Sequence, residues 1–177
     1  LVELVVVMAV VAVLLSLGLP ALQNMIHRSK IEGAARTTAS MMRNARFEAI
    51  KQAVPAIVRV DTSTNDVVSF VDDNADFVLD AGELRLGHLI LPGGVQLAAP
   101  ASQNFVDGLD TQGTAGWASF ITDGSVVSSG AFRLADSRGN FLEVRVEPAA
   151  TARIQLRKWD GSNWMYQGEG GTGWTWY

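Results

Sequence analysis

Apolar and polar residues divide the chain into zones, of which the first is almost entirely apolar. From Leu4 to Ile26 the chain has 23 residues without a charge, and about 20 apolar residues in a helix cross the hydrocarbon core of a bilayer. A secretory signal peptide would have a shorter apolar region followed by small residues at a cleavage site. The pattern therefore favours a transmembrane helix over residues 1–26 rather than a removed signal.

The helical pattern continues beyond this apolar zone. Apolar and small residues recur every three or four positions from Ile31 to Ala49, and most charged residues fall elsewhere on the helical wheel. No strong helix breaker precedes Pro55. We therefore predict one helix over residues 2–53, about 78 Å long at roughly 1.5 Å per residue. Its part over residues 27–53 is predicted to be an amphipathic stem that packs on the rest of the chain.

One proline lies inside the predicted helix. Pro20 follows Gly18 by two positions, and a proline in a helix removes one backbone hydrogen bond and clashes with the preceding turn. We therefore expect a kink or a local unwinding at this point.

Beyond the helix the pattern changes to the alternation that is typical of strands. The run 141–147 alternates between apolar and charged residues, which predicts a strand with one buried and one solvated face. Its charged residues Glu143, Arg145 and Glu147 are expected on the solvated face. Eight runs rich in branched and aromatic residues predict short antiparallel strands: 56–60, 67–71, 84–90, 95–97, 117–121, 131–135, 141–147 and 152–158. The predicted fold class is α+β, with the long N-terminal helix packed on an antiparallel β-sheet or sandwich head over residues 54–177.

Charge follows the same division. The 177 residues carry a net charge of −4, with 14 Lys and Arg against 18 Asp and Glu. Residues 1–26 contribute −1, residues 27–51 contribute +4 and residues 52–177 contribute −7. The chain has no cysteine and two histidines, and no nucleophile, phosphate-loop or metalloprotease motif occurs. The sequence therefore predicts that this protein is not an enzyme.

Glu3 is the only charge in the apolar zone. A carboxylate at the centre of a bilayer costs on the order of 2.5–3.5 kcal/mol on insertion scales, and less near the interface. In one interpretation Glu3 lies at headgroup level and stabilises the helix N-terminus by about 0.3–1 kcal/mol. In the other it is the buried countercharge of an amine on another chain. The sequence does not distinguish between the two.

An acidic run in the head has the spacing of an EF-hand calcium loop. Its oxygen donors fall at positions 1, 3, 5, 9 and 12, with a backbone carbonyl at position 7. The candidate ligands are Asp72, Asn74, Asp76, Val78, Asp80 and Glu83. Against calcium, position 6 is Phe77 rather than glycine, and the flanking runs are predicted strands rather than helices. The alternative is a solvated connection between two strands; no other cofactor is expected.

The C-terminal extension over residues 159–177 holds four of the five tryptophans and both tyrosines. It could form a final aromatic strand of the head, or a contact patch for a neighbouring protein chain, a secreted client or a sugar. A third possibility is DNA binding, in which basic residues contact phosphates and aromatic residues stack on bases. The candidate contact residues are Arg153, Arg157, Lys158, Trp159 and Trp164. The acidic charge of the head argues against DNA.

Several segments resemble a known family. Residues 1–7, followed by the long apolar helix, resemble the N-terminus of bacterial type IV pilins and type II secretion pseudopilins. Residues 42–52, 122–125 with 130–134, and 141–146 resemble the GspH/FimT subgroup of these proteins. The resemblance covers most of residues 1–158, and the tryptophan-rich end departs from it. Compared with the usual mature start, the chain is expected to begin two residues inside the mature end.

The resemblance implies a minor pilin or pseudopilin that initiates or caps a type IV pilus-like filament, in pilus biogenesis or type II secretion. It implies a prepilin peptidase that removes a leader, an N-methylated terminal amine, and a single pass through the inner membrane with the head in the periplasm. Residues 1–26 would pass from lipid to the filament core, with Glu3 meeting a neighbouring subunit's terminal amine and Gly18 and Pro20 allowing the helix to adapt. The alternative function is a ligand-binding module at a pilus tip, for DNA uptake or surface adhesion.

Overall fold

The computed structural model describes residues 2–166, with the backbone alone at residues 10, 12, 13 and 15–21. One helix, α1, runs from Val2 to Gln52, which is about 77 Å at 1.5 Å per residue. It is helical through residues 18 and 20, so the unwinding expected at Pro20 does not occur; the other backbone hydrogen bonds of the helix are enough to maintain it. None of the helices within the described residues reaches the length and mean hydropathy of a membrane-spanning segment.

The end of α1 agrees with the predicted boundary. Ala53 adopts a left-handed conformation with φ of 55°, which is the usual way for a helix to terminate, and Pro55 cannot continue it. Glu48 accepts hydrogen bonds from Lys51 and Gln52 in the last turn. The chain therefore leaves the helix directly into the first strand.

The remainder of the described chain forms two antiparallel sheets. The strands are β1 (Ala56–Asp61), β2 (Asp66–Val71), β3 (Arg85–Ile90), β4 (Val95–Leu97), β5 (Val106–Asp107), β6 (Asp110–Gln112), β7 (Ala115–Phe120), β8 (Gly130–Asp136), β9 (Phe141–Val146), β10 (Ile154–Trp159) and β11 (Trp164–Tyr166). The first sheet has the order β3-β2-β1-β7-β6, and the second has the order β11-β10-β9-β8-β4, with β5 paired to β8. Each of the eight predicted runs overlaps one of these strands. The α+β fold, with a helix on antiparallel sheets, is confirmed.

The core lies between the stem of α1 and the two sheets. Ile31, Ala35, Met42, Ala45 and Ala49 are completely buried, and α1 contacts strands of both sheets. The alanines on this face let the helix backbone approach the sheets closely, since a small side chain adds little distance. Beneath the helix, the sheets contribute large buried side chains, among them Phe120, Phe132, Leu134 and Leu142. The predicted amphipathic face is therefore the face that packs.

Candidate assembly surface

The N-terminal half of α1 exposes an apolar surface. Every described side chain from Val2 to Ile26 is exposed except Asn24, which is half-buried. Leu14 is 64% exposed and Met25 is 71% exposed, whereas Ile31, one turn beyond Ile26, is completely buried. Exposed apolar patches of this extent mark interaction sites in soluble proteins. This segment therefore has the composition of a buried helix but is not covered by any of the described residues 27–166.

A basic junction joins this segment to the head. The Lys30 ammonium donates a hydrogen bond to the carbonyl oxygen of Gly93 at 3.3 Å. Burial lowers the pKa of Lys158 on β10; the positive charge of Arg28 lowers it further, and the carboxylate of Glu32 opposes the shift. Lys158 therefore lies close to the helix, and the two sheets hold α1 immediately beyond its exposed part.

The second half of the stem is fixed to the head by a specific contact. The Arg46 guanidinium donates through Nε to the carbonyl oxygen of Gly124 at 2.7 Å. A Cβ on Gly124 would lie 2.7 Å from Ile50 Cδ1, and its φ of 82° also favours glycine. The glycine of the 122–125 turn thus lets the turn approach the helix. The sequence resemblance included both segments, but their contact could not be read from either.

A balanced charge cluster covers the outer face of the second sheet. It comprises Asp107, Arg133, Glu143, Arg145, Glu147 and Arg157. Glu143 lies at its centre and is completely buried. Its carboxylate accepts from Arg133 Nε and Arg145 Nε, both at 2.8 Å, and lies 3.6 Å from Arg157 Nη1. The prediction that Glu143 faces solvent is wrong, because three arginine side chains surround its carboxylate on this face. One of them, Arg133, is held in place by a further hydrogen bond to Asn104 O at 3.0 Å.

The candidate contact residues near the C-terminus do not share one surface. Trp159 and Trp164 are register partners whose ring centroids are 5.3 Å apart, and they lie on the same face as Arg157. Lys158, the next residue along β10, points to the opposite face, since side chains alternate along a strand. Arg153 precedes β10 and lines a groove of about 870 Å³ together with Arg43 of the stem.

The basic groups on the aromatic face are already neutralised. Arg157 Nη2 donates to Glu147 at 2.6 Å, and its guanidinium lies 4.0 Å from the centre of the Tyr166 ring. Trp164 donates through Nε1 to Gln103 Oε1 at 3.0 Å. A phosphate backbone would have to compete with these carboxylates for the arginines. Trp174, Trp176 and Tyr177 of the extension lie outside the described residues.

The acidic loop connects β2 to β3. Among its side chains, Asn74 Oδ1 accepts from Asp76 N at 3.2 Å and Asp76 Oδ1 accepts from Val78 N at 2.8 Å. Glu83 accepts from the backbone of Asp73 and Asp80. Within the described part of the chain, no group of three His, Asp or Glu side chains converges as a formed metal site would. The calcium interpretation therefore stays a prediction.

The two histidines have structural surroundings. His88 Nε2 lies 2.8 Å from Asp66 Oδ2 across the β2–β3 pair. His27 lies in α1 at the junction with the head.

Comparison with known proteins identifies a family and two similar solved structures. A family model described as "Type II transport protein GspH" matches residues 34–169. The minor pseudopilin EpsH from the Type 2 Secretion System of Vibrio cholerae has 14% identity and a TM-score of 0.49, covering 73% of this chain and 97% of that chain. The type IV minor pilin FimU of Pseudomonas aeruginosa has 17% identity and a TM-score of 0.48, covering 73% of this chain and 89% of that chain. No curated protein sequence matches the chain.

Proposed function

The chain belongs to the GspH family of type II transport proteins, and on that premise we propose that it is a minor pilin-like subunit that initiates or caps a filament. The family consists of structural subunits rather than enzymes. The filament would be that of type II secretion or of a type IV pilus, outside the cytoplasm. Its action would be mechanical: the helix enters a bundle of helices, and the head selects the neighbouring subunits.

The exposed apolar half of α1 is the observation that carries this proposal. The described side chains of residues 2–26 are apolar and exposed, apart from Glu3 and the polar positions near residue 24. Burying one large apolar side chain contributes about 1.5–3 kcal/mol, so a bundle that covers several of them gains a large driving force. The stem is packed against the core of the head, so the position of the helix in a bundle also fixes the position of the head.

In this proposal, Glu3 fixes the position of each helix along its neighbour in the bundle. A buried carboxylate is tolerated when a cation lies within reach of it, and Glu3 is the only charge in the first 26 residues. The terminal amine of a neighbouring subunit, N-methylated as the resemblance implies, has the required charge. Residues 18 and 20 lie further along the same helix, where a proline leaves one carbonyl without its helical donor and so makes bending easier.

Before assembly, we infer that residues 1–26 lie in the inner membrane as a single pass, after a prepilin peptidase has removed a leader. This inference rests on the uncharged sequence between residues 4 and 26. Alkaline carbonate extraction and protease protection test it: the chain should stay with the membrane pellet, and the head should be digested only from the periplasmic side. Release of the full-length chain by carbonate would overturn the inference.

The assembly role is tested by Glu3→Gln, with Glu48→Gln as a matched change on the same helix. Glu48 pairs with Lys51 at 3.0 Å at the far end of α1, so its variant controls for the loss of one carboxylate. Both variants should fractionate with membranes, but only Glu48→Gln should appear in sheared filaments. If Glu3→Gln enters filaments as well as the wild type, the pairing proposal fails.

Deletion of the protein separates the two filament systems. Secreted proteins, twitching motility and DNA uptake would be scored in parallel in one deletion strain. Loss of secretion alone would assign the subunit to type II secretion, and loss of twitching alone would assign it to a pilus. Loss of DNA uptake with intact filaments would favour a ligand-binding tip module instead of an initiating subunit.

A further inference from the structure

The loop between β2 and β3 contains a buried carboxylate oxygen that accepts no hydrogen bond from the part of the chain that the structure describes. Asp72 is 1% exposed, and its Oδ2 accepts from Phe77 N at 3.2 Å, which turns the carboxylate toward the inside of the loop. Its Oδ1 is buried and, among the described residues, has no hydrogen-bond donor. Buried carboxylate oxygens are normally satisfied by donors or cations. This oxygen therefore indicates a ligand for the loop that is independent of the acidic composition.

Two further carboxylates lie around the same loop interior. Asn74 Nδ2 donates to Asp76 Oδ2 at 3.0 Å and to Asp80 Oδ2 at 3.1 Å. The amide nitrogen thus lies between two like charges and partly screens their repulsion. Its position also explains why the carboxylates do not already converge as a formed metal site. Rotation of the Asn74 amide would replace this donor with an oxygen acceptor.

The backbone already has the left-handed turn that the EF-hand loop requires at position 6. Phe77 has a φ of 64° and Ala75 a φ of 59°. The sequence argument against calcium was that a bulky residue at position 6 strains this turn. Phe77 nevertheless adopts it, and its ring stacks on Trp117 with centroids 5.3 Å apart and an interplanar angle of 19°. The aromatic contact supports the conformation that a glycine would otherwise supply.

We propose that this loop is a calcium site. The ligands would be the side-chain oxygens of five residues and one backbone carbonyl: Asp72, Asn74, Asp76, Asp80, Glu83 and the carbonyl of Val78. Calcium accepts six to eight oxygen ligands in flexible geometry, whereas magnesium requires a tighter octahedron and zinc, copper and nickel prefer nitrogen or sulfur. The loop offers neither histidine nor cysteine. The site lies on the head and does not depend on the proposed filament function.

The test uses the full chain in detergent micelles, freed of calcium with a chelator and titrated with calcium chloride in a calorimeter. An exposed site of this kind should bind one calcium with a Kd of about 0.1–1 mM, the range of extracellular calcium modules. Calcium should also raise the midpoint of thermal unfolding, since a ligand that binds only the folded chain stabilises it. Magnesium at the same concentration should bind more weakly. No heat and no shift of the midpoint at about 10 mM calcium, tenfold above that range, would overturn the proposal.

Two charge-matched variants make the test specific. Asp76→Asn removes a proposed ligand and should weaken calcium binding by about tenfold or more, because affinity follows the number of charged ligands. Asp73→Asn makes the same change in the same loop at a side chain outside the proposed ligand set, and should leave the Kd within about twofold. Equal weakening in both would indicate nonspecific attraction by the acidic loop and would contradict the site. If Asp76→Asn does not fold, Asp80→Asn replaces it with the same expectation.

The fluorescence of Trp117 provides a second measurement of calcium binding to the loop. Because Phe77 lies on Trp117, ordering of the loop by calcium should change the tryptophan fluorescence. The change should follow the same Kd and disappear in Trp117→Phe, which leaves the other four tryptophans in place. A calcium-dependent change that persists in Trp117→Phe would place the binding elsewhere and would contradict the proposal.

Discussion

Replacement of Glu143 by glutamine tests how the head is held together. Glu143 is completely buried and lies among three arginines. In the wild type, three carboxylates face three guanidinium groups; in Glu143→Gln, two carboxylates remain for the same three cations. Asp107 and Glu147, which are both partly exposed, would have to compensate alone. The variant keeps the shape of the side chain, so the change is one of charge.

The expected loss follows from burial. An exposed ion pair contributes about 0–1 kcal/mol, but removal of one partner from a buried pair costs about 3–5 kcal/mol because a charge is left uncompensated. Glutamine can still accept one of the two 2.8 Å hydrogen bonds from Arg133 and Arg145, so we expect about 3 kcal/mol, at the lower end of that range. For a chain of 150–250 residues, about 1 kcal/mol shifts the melting temperature by about 2–4 °C. The midpoint should therefore fall by roughly 6–12 °C.

Urea unfolding of the full chain in detergent, followed by tryptophan fluorescence, measures this loss. Trp164 is a suitable reporter because the Arg133 guanidinium lies 5.1 Å from its ring centre. Glu48→Gln is the control, since it removes a carboxylate that pairs with one lysine, whose side chain is 60% exposed, at the end of α1. The control should unfold close to the wild type. If Glu143→Gln and Glu48→Gln unfold at the same urea concentration, the buried cluster does not stabilise the head as argued.

Three further predictions concern the core under the stem, the close contact between β5 and β8, and the dependence of stability on pH. Met42→Ala should destabilise the head by about 2–5 kcal/mol in urea unfolding, whereas Met25→Ala, at a position 71% exposed, should not; equal effects would contradict the assigned stem face. Gly130→Ala should lower the melting temperature markedly, because its Cβ would lie 2.2 Å from a carbonyl oxygen of β5; an unchanged melting temperature would refute this contact. A backbone hydrogen bond from Ser125 lowers the pKa of Asp123, so its stabilisation is present above the ordinary carboxyl pKa and is lost as the pH falls through the folded value. The stability difference between wild type and Asp123→Asn should therefore shrink on acidification, and a constant difference would contradict the assignment.

The sequence predicted the elements whose pattern is long enough to be periodic. The helix over residues 2–53 and the eight runs beyond it correspond to α1 and to eight strands, because in most of them the apolar spacing records a buried face. Strands β5, β6 and β11 have two or three residues each and lack the apolar–polar–apolar order that β4 keeps in its three residues. Their positions depend on pairing with neighbours that are distant in sequence.

Burial of polar residues was not predictable from the same pattern. Glu143 alternates with apolar neighbours and so has the sequence signature of a solvated position, but arginines from three neighbouring strands enclose its carboxylate. In the acidic loop the spacing identified the candidate ligands, whereas the burial of Asp72 and the support of Phe77 by Trp117 depend on tertiary packing. Arg157 and Lys158 are adjacent in sequence, but the strand places their side chains on opposite faces of the sheet. The sequence grouped them as one candidate contact site.

Photo-crosslinking from the exposed half of α1 tests the central claim most directly. A photoreactive amino acid at Leu14, which is 64% exposed in the single chain, would be activated in cells that assemble filaments. The proposed bundle predicts a crosslinked product with the mass of two pilin-like subunits, which disappears when Glu3→Gln is introduced into the same chain. If no such product forms in cells with intact filaments, or if it forms equally with Glu3→Gln, the apolar helix does not enter the bundle as proposed.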